Sequence, residues 1–65
     1  MWTVIYMVQS SDAANQLRNL LEAADILVKI RPVTRVAEGE TNAFEILVPQ
    51  TEKDTAHKII IESGF

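Results

Sequence analysis

The chain contains no cysteine, which removes a disulfide framework, a Cys-based zinc site and a thiol nucleophile together. Its single histidine is too few for a multi-His centre, so neither a metal nor a cofactor is expected. The two glycines lie far apart, and no phosphate-cradling loop or dinucleotide fingerprint can be drawn through them. No apolar run approaches the roughly 20 residues of a membrane span, and no basic-then-apolar leader opens the chain. Positive charge is also short. Six Lys+Arg stand against nine Asp+Glu, a net charge of −3, which argues against a broad electrostatic surface for nucleic acid. The expectation is a cytoplasmic protein with neither nucleic acid nor membrane among its partners.

What is present is a single domain over residues 1–65, of which 48% are hydrophobic. A chain this short buries only about 60% of the surface that its unfolded form exposes, and its stability is correspondingly marginal. With disulfides excluded and no metal expected, self-association is the remaining common staple.

Trp2 to Val8 (WTVIYMV) is rich in β-branched and aromatic residues and carries no charge, which predicts a buried strand. Ser10, Ser11 and Asp12 are all good N-caps for the segment that follows. There Ala13, Leu17, Leu20, Leu21 and Ala24 recur at steps of three and four, the signature of an amphipathic helix of about three turns. Asp25 stands where a helix end often has Gly, and a left-handed residue there implies mild strain. Ile26 to Val33 reads as a second strand, with Ile26, Val28 and Ile30 on one side and Leu27, Lys29 and Arg31 on the other. Pro32 removes a ladder donor and places itself near a strand end or on an edge.

Thr34 to Asn42 is polar and reads as a long hairpin tip. Ala43 to Val48 alternates again, opposing Phe44, Ile46 and Val48 to Ala43, Glu45 and Leu47. Pro49 ends that strand, and Thr51 to Asp54 resembles a capping box with Asp in place of Glu or Gln. A second helix is predicted from about Glu52 to Ser63, with Ala56, Ile59, Ile60 and Ile61 as its apolar face and Gly64 as its stop.

The order β-α-β-β-α makes the first two strands parallel and non-adjacent. The economical arrangement is α+β, a truncated ferredoxin-like plan: a three-stranded sheet with both helices on one face. Strict alternation assigns Val4, Tyr6, Ile26, Val28, Ile30, Phe44, Ile46 and Val48 to the helix side. The other face then receives Thr3, Ile5 and Met7, Leu27, Lys29 and Arg31, and Ala43, Glu45 and Leu47. Ile5, Met7, Leu27 and Leu47 are too apolar for a face that merely meets water. They form the candidate interface of a homodimer or higher homo-oligomer, although scattered exposed hydrophobes are common on any protein. Glu45 can pair across the hairpin with Lys29 or Arg31. Alternatively Lys29, Arg31 and Arg35 converge as a small anion- or metabolite-binding cluster.

No catalytic constellation appears, and the chain is not expected to be an enzyme. Ser10 and Ser11 read as caps, and no nucleophile elbow surrounds them. His57 with Asp54 reads as a local helix pair, and Glu38 and Glu40 share a loop too poorly positioned for acid–base work. Trp2 reads as a cap on a small core rather than a base-stacking platform. The loop could present Arg35, Glu38 and Glu40 to a protein partner.

Residues 2–32, from WTVIYMV to LVKIRP, and then FEILVPQTEKDTAHKIIIESGF resemble a family of small bacterial signal-transducing protein domains grouped with the GlnB (PII)-like, ferredoxin-like folds. Its recognisable pieces are the opening strand, the Leu20–Ala23 run, the strand after Asp25, and Glu45 to Pro49 before the last helix. The resemblance implies a regulatory role. It also implies that Thr34 to Asn42 occupies the place of the partner-contact loop of PII proteins. Asp25 departs from the family's usual Gly, and PII proteins are almost twice as long. Their nucleotide site uses elements that this chain lacks, so ATP binding is not carried over.

Overall fold

In the computed structural model, which describes residues 1–34 and 42–65, the chain is a small α+β domain. Its elements in chain order are strand β1 (Trp2–Val8), helix α1 (Ser11–Glu22), strand β2 (Lys29–Thr34), strand β3 (Asn42–Pro49) and helix α2 (Lys53–Glu62). A 3-10 turn at Gln50–Glu52 leads into α2. The sheet order is β1-β3-β2, and both pairings are antiparallel. The outer strands therefore run parallel to each other with β3 between them, as the helical crossover requires.

Ser10 caps α1, its Oγ accepting from the Ala13 amide at 3.1 Å. The helix ends at Glu22, before the predicted Ala24, because the chain turns there. Asp25 takes φ 63°, its amide bonds back to the Glu22 carbonyl at 2.9 Å, and the Ile26 amide reaches the Leu21 carbonyl at 3.1 Å. This is a Schellman end with Asp in the left-handed position, closed by the buried apolar pair Leu21 and Ile26. Ile26 to Val28 lie outside the ladder, so β2 is shorter than the alternation suggested. The Thr51–Asp54 capping box does not form. The 3-10 turn occupies Thr51 and Glu52, α2 starts at Lys53, and the N-cap Glu52 makes no side-chain cap bond. At the far end of α2, Gly64 takes φ 94°.

One core sits between the sheet and the helices. Val8, Ala14, Leu17, Leu21, Ile26, Ile46, Val48, Ala56 and Ile60 are buried together, with Tyr6, Leu20, Val28, Ile30, Phe44 and Ile59 packed around them. Both helices thus cover the Phe44–Ile46–Val48 side of the sheet. Ala14 is buried in this core, and Ala13, where the apolar periodicity starts, packs against it half-buried. Ile61, expected on the apolar face of α2, is 67% exposed because it lies beyond the arc centred on Ala56 and Ile60.

A β-bulge in β1 alters the face assignment. Val4 pairs with Leu47, but Tyr6 pairs with Ile46, so Ile5 is an extra residue with no partner of its own. Directly paired residues of antiparallel strands point to the same face. Trp2, Val4 and Met7, opposite Pro49, Leu47 and Glu45, consequently share the face away from the helices, while Thr3, Tyr6 and Val8 face the core. Three expectations are corrected here, since Thr3 also turns from the open face to the core side. Ile5 packs against the helix-side core instead of the open face, and Val4 takes its place on the open face. A strict period of two cannot register an inserted residue, and a one-residue slip inverts every assignment before it.

Candidate functional site

The face left uncovered by the helices is built from three short rows. β1 contributes Trp2, Val4 and Met7, β3 contributes Ala43, Glu45, Leu47 and Pro49, and β2 contributes Lys29, Arg31 and Val33. Three of its apolar residues remain well exposed: Trp2 at 40%, Val4 at 42% and Met7 at 53%. Leu27, just before β2, is 69% exposed.

Leu47 differs from the expectation. It lies on this face, between Val4 and Lys29, yet is only 5% exposed. The Lys29 Nζ sits 4.9 Å from the centroid of the Trp2 ring. Lys29 belongs to β2 and Trp2 to β1, so this contact crosses over β3 and roofs the Leu47 position. The aliphatic stem of Lys29 and the indole supply apolar cover while the ammonium stays in water. Leu47 is therefore a secondary core residue under a two-residue lid, and the surface on offer belongs to Trp2, Val4 and Met7.

The charged pair expected across the hairpin forms between Arg31 and Glu45, which face each other in the ladder. Arg31 Nε donates to Glu45 Oε1 at 2.7 Å, and a terminal guanidinium nitrogen reaches the same oxygen. The two described cations of the anion-binding cluster thus already have partners: Arg31 holds Glu45, and Lys29 lies on Trp2. Arg35, the third member, falls outside the described residues. So do Glu38 and Glu40, and with them the suggested partner-contact loop. Thr34 and Asn42, its expected ends, pair with each other in the sheet.

His57 is exposed and lines a shallow recess of about 140 Å³ with Val4, Ile5 and Lys53, where α2 meets the bulge of β1. Its lining residues include no carboxylate, hydroxyl or thiol. Among the described residues, no three His, Asp or Glu side chains gather where they could hold a metal ion, and no helix is long and apolar enough to cross a membrane.

Val4 is the open-face residue that the sequence pattern misplaced, and Trp2 is one that it assigned to neither face. β1 is apolar on both sides, and Thr3 is its only polar residue apart from the tyrosine hydroxyl. Alternation therefore carries no polarity signal from which its register could be fixed. No family model, curated protein or solved structure matches the chain.

Proposed function

We propose that the chain is a non-enzymatic regulatory or protein-interaction module that self-associates through its open sheet face. The observation that carries this reading is the row Trp2, Val4 and Met7, half-exposed on the face of a sheet whose helices all lie on the other side. An antiparallel sheet with one face on the core ordinarily presents a polar outer face. Here the outer face of β1 has no polar or charged residue. The strand order β1-β3-β2 with two helices on one side supports a ferredoxin-like plan lacking a final strand. The likeness to signal-transducing PII-like domains supports a regulatory role for such a module.

Sedimentation or light scattering across micromolar concentrations tests the assembly, with a dimer or higher homo-oligomer expected. Met7→Lys and Leu27→Lys should weaken it while leaving the helical circular dichroism unchanged, because neither side chain belongs to the core between sheet and helices. A monomer of 7.3 kDa throughout, or assembly untouched by both substitutions, rejects the face as the contact.

A further inference from the structure

The two edges of the sheet are not alike. The β2 edge carries Lys29, Arg31 and Pro32, the charge and the missing amide that ordinarily prevent strands from adding to an edge. The β1 edge has neither. Its seven residues include no charge and no proline, and among the described residues no strand pairs with its outward backbone groups. From this difference we infer that the free edge of β1 pairs antiparallel with β1 of a second copy about a two-fold axis, joining two sheets into one of six strands. This goes beyond the face contact proposed above, since the edge and the face are different surfaces.

A second copy fits this edge for three reasons. Two-fold pairing of β1 with itself sets no like charges opposite each other, whereas the β2 edge would bring cations together. The flank of α2 nearest β1 is a stripe spaced by four residues. Lys53 and His57 line the recess with Val4 and Ile5, and Ile61, largely exposed, continues the stripe. Edge pairing lays the two α2 stripes side by side in opposite directions, which gives Ile61 the other copy's helix to pack on. The third is that the contact is of a size for a weak symmetric pair. Seven strand residues span about 24 Å, and with a thickness of roughly 20 Å including side chains the footprint is on the order of 480 Å² per copy. That is below the ~800 Å² per partner of a standard stable interface, so the dimer is weak and fills toward millimolar concentration.

Nuclear magnetic resonance on a mixture of isotope-labelled and unlabelled chain decides it, supported by amide hydrogen exchange. Backbone-to-backbone contacts between β1 strands of different copies are expected. Protection of the outward β1 amides should rise roughly tenfold or more from micromolar to millimolar concentration. Three results would overturn the inference. One is a dimer whose intermolecular contacts come only from the Trp2, Val4 and Met7 side chains while the outward amides exchange freely. Another is a chain that stays monomeric at millimolar concentration. The third is protection that appears only on adding an unrelated extended peptide. Repeating the measurement in Leu27→Lys, whose substitution lies on the opposite side of the sheet, separates the edge from the face: edge protection should survive there.

Discussion

Removing the Trp2 indole should unroof Leu47 and cost this chain a large part of its stability. Trp2 is 40% exposed, so about three-fifths of its surface is covered. A tryptophan brings up to about 250 Å², which makes the covered part roughly 150 Å². At ~25 cal/mol/Å² this is about 3.7 kcal/mol as an upper bound, reduced to about 2.5 kcal/mol once residual burial in the unfolded chain is allowed for. The half-exposed Lys29 contact adds about 0.5–1 kcal/mol. Trp2→Ala should therefore cost about 3 kcal/mol. A 65-residue domain has in total roughly 3–10 kcal/mol, and at ~4–8 °C per kcal/mol the melting temperature falls by about 12–24 °C.

Lys29→Met separates cover from charge, since it keeps an apolar stem and loses only the ammonium; it should cost no more than about 1 kcal/mol. The assay is thermal and urea unfolding followed by circular dichroism at fixed protein concentration, because association shifts apparent stability. In the Lys29 variant the chain's one tryptophan also reports by fluorescence. A Trp2→Ala loss below about 1 kcal/mol, with Leu47 amide exchange unchanged, would refute the roof. Additive effects in the Trp2→Ala/Lys29→Ala double variant would separately refute their coupling.

Asp25→Gly should stabilise the domain by about 0.5–1 kcal/mol, because φ 63° is strained for a residue with a Cβ; a lowered melting temperature would contradict the assignment of the α1 end. Ser10→Ala removes the acceptor for the Ala13 amide and should cost about 1 kcal/mol by urea unfolding, whereas Ser11→Ala should cost little. A double-mutant cycle on Arg31 and Glu45 should return no more than about 1 kcal/mol, and less in high salt, because Arg31 is largely solvated; a salt-independent coupling above 2 kcal/mol would mean that the pair is shielded. Inorganic phosphate and nucleotides should leave the melting temperature unchanged, while a rise that Arg31→Ala abolishes would restore the anion-binding reading of Lys29 and Arg31.

The elements were most legible where two independent signals coincided. For α1 the Ser10 cap and the Leu17–Leu21 periodicity agree, and β3 alternates cleanly because Glu45 marks its outer face. Asp25 was legible as a strained end because no glycine was present to relieve it. The second helix was less so: residues 51–54 match a capping box in sequence, but capping needs extended backbone at Thr51, and the 3-10 turn occupies it. The candidate site was half legible. The face itself followed from two helices and three strands, and Met7 and Leu27 proved exposed as read. Leu47 did not, since its cover comes from residues of two different strands meeting over a third, a contact that no local window contains.

The bulge at Ile5 ties these observations together. Were β1 regular, with the Tyr6–Val8 pairing kept, Ile5 and Thr3 would stand on the open face beside Met7, and Trp2 could not lie over β3 to meet Lys29. Inserting one residue turns Ile5 inward, where it adds to the core, and brings Trp2 and Val4 outward. The insertion therefore strengthens both sides of a thin protein at once, by completing the core under α2 and by supplying the cover of Leu47. It also leaves more apolar surface outside than two residues can roof. A bulge bends and twists its strand, which ordinarily discourages further strands from joining an edge. Because Ile5 lies mid-strand, Trp2 to Val4 and Tyr6 to Val8 keep regular antiparallel pairing with β3 on either side of it. In a two-fold pair the bulges of both copies meet near the axis, and each regularly paired half faces the other half of its partner, so the irregularity selects a single register where a uniform apolar edge would allow several.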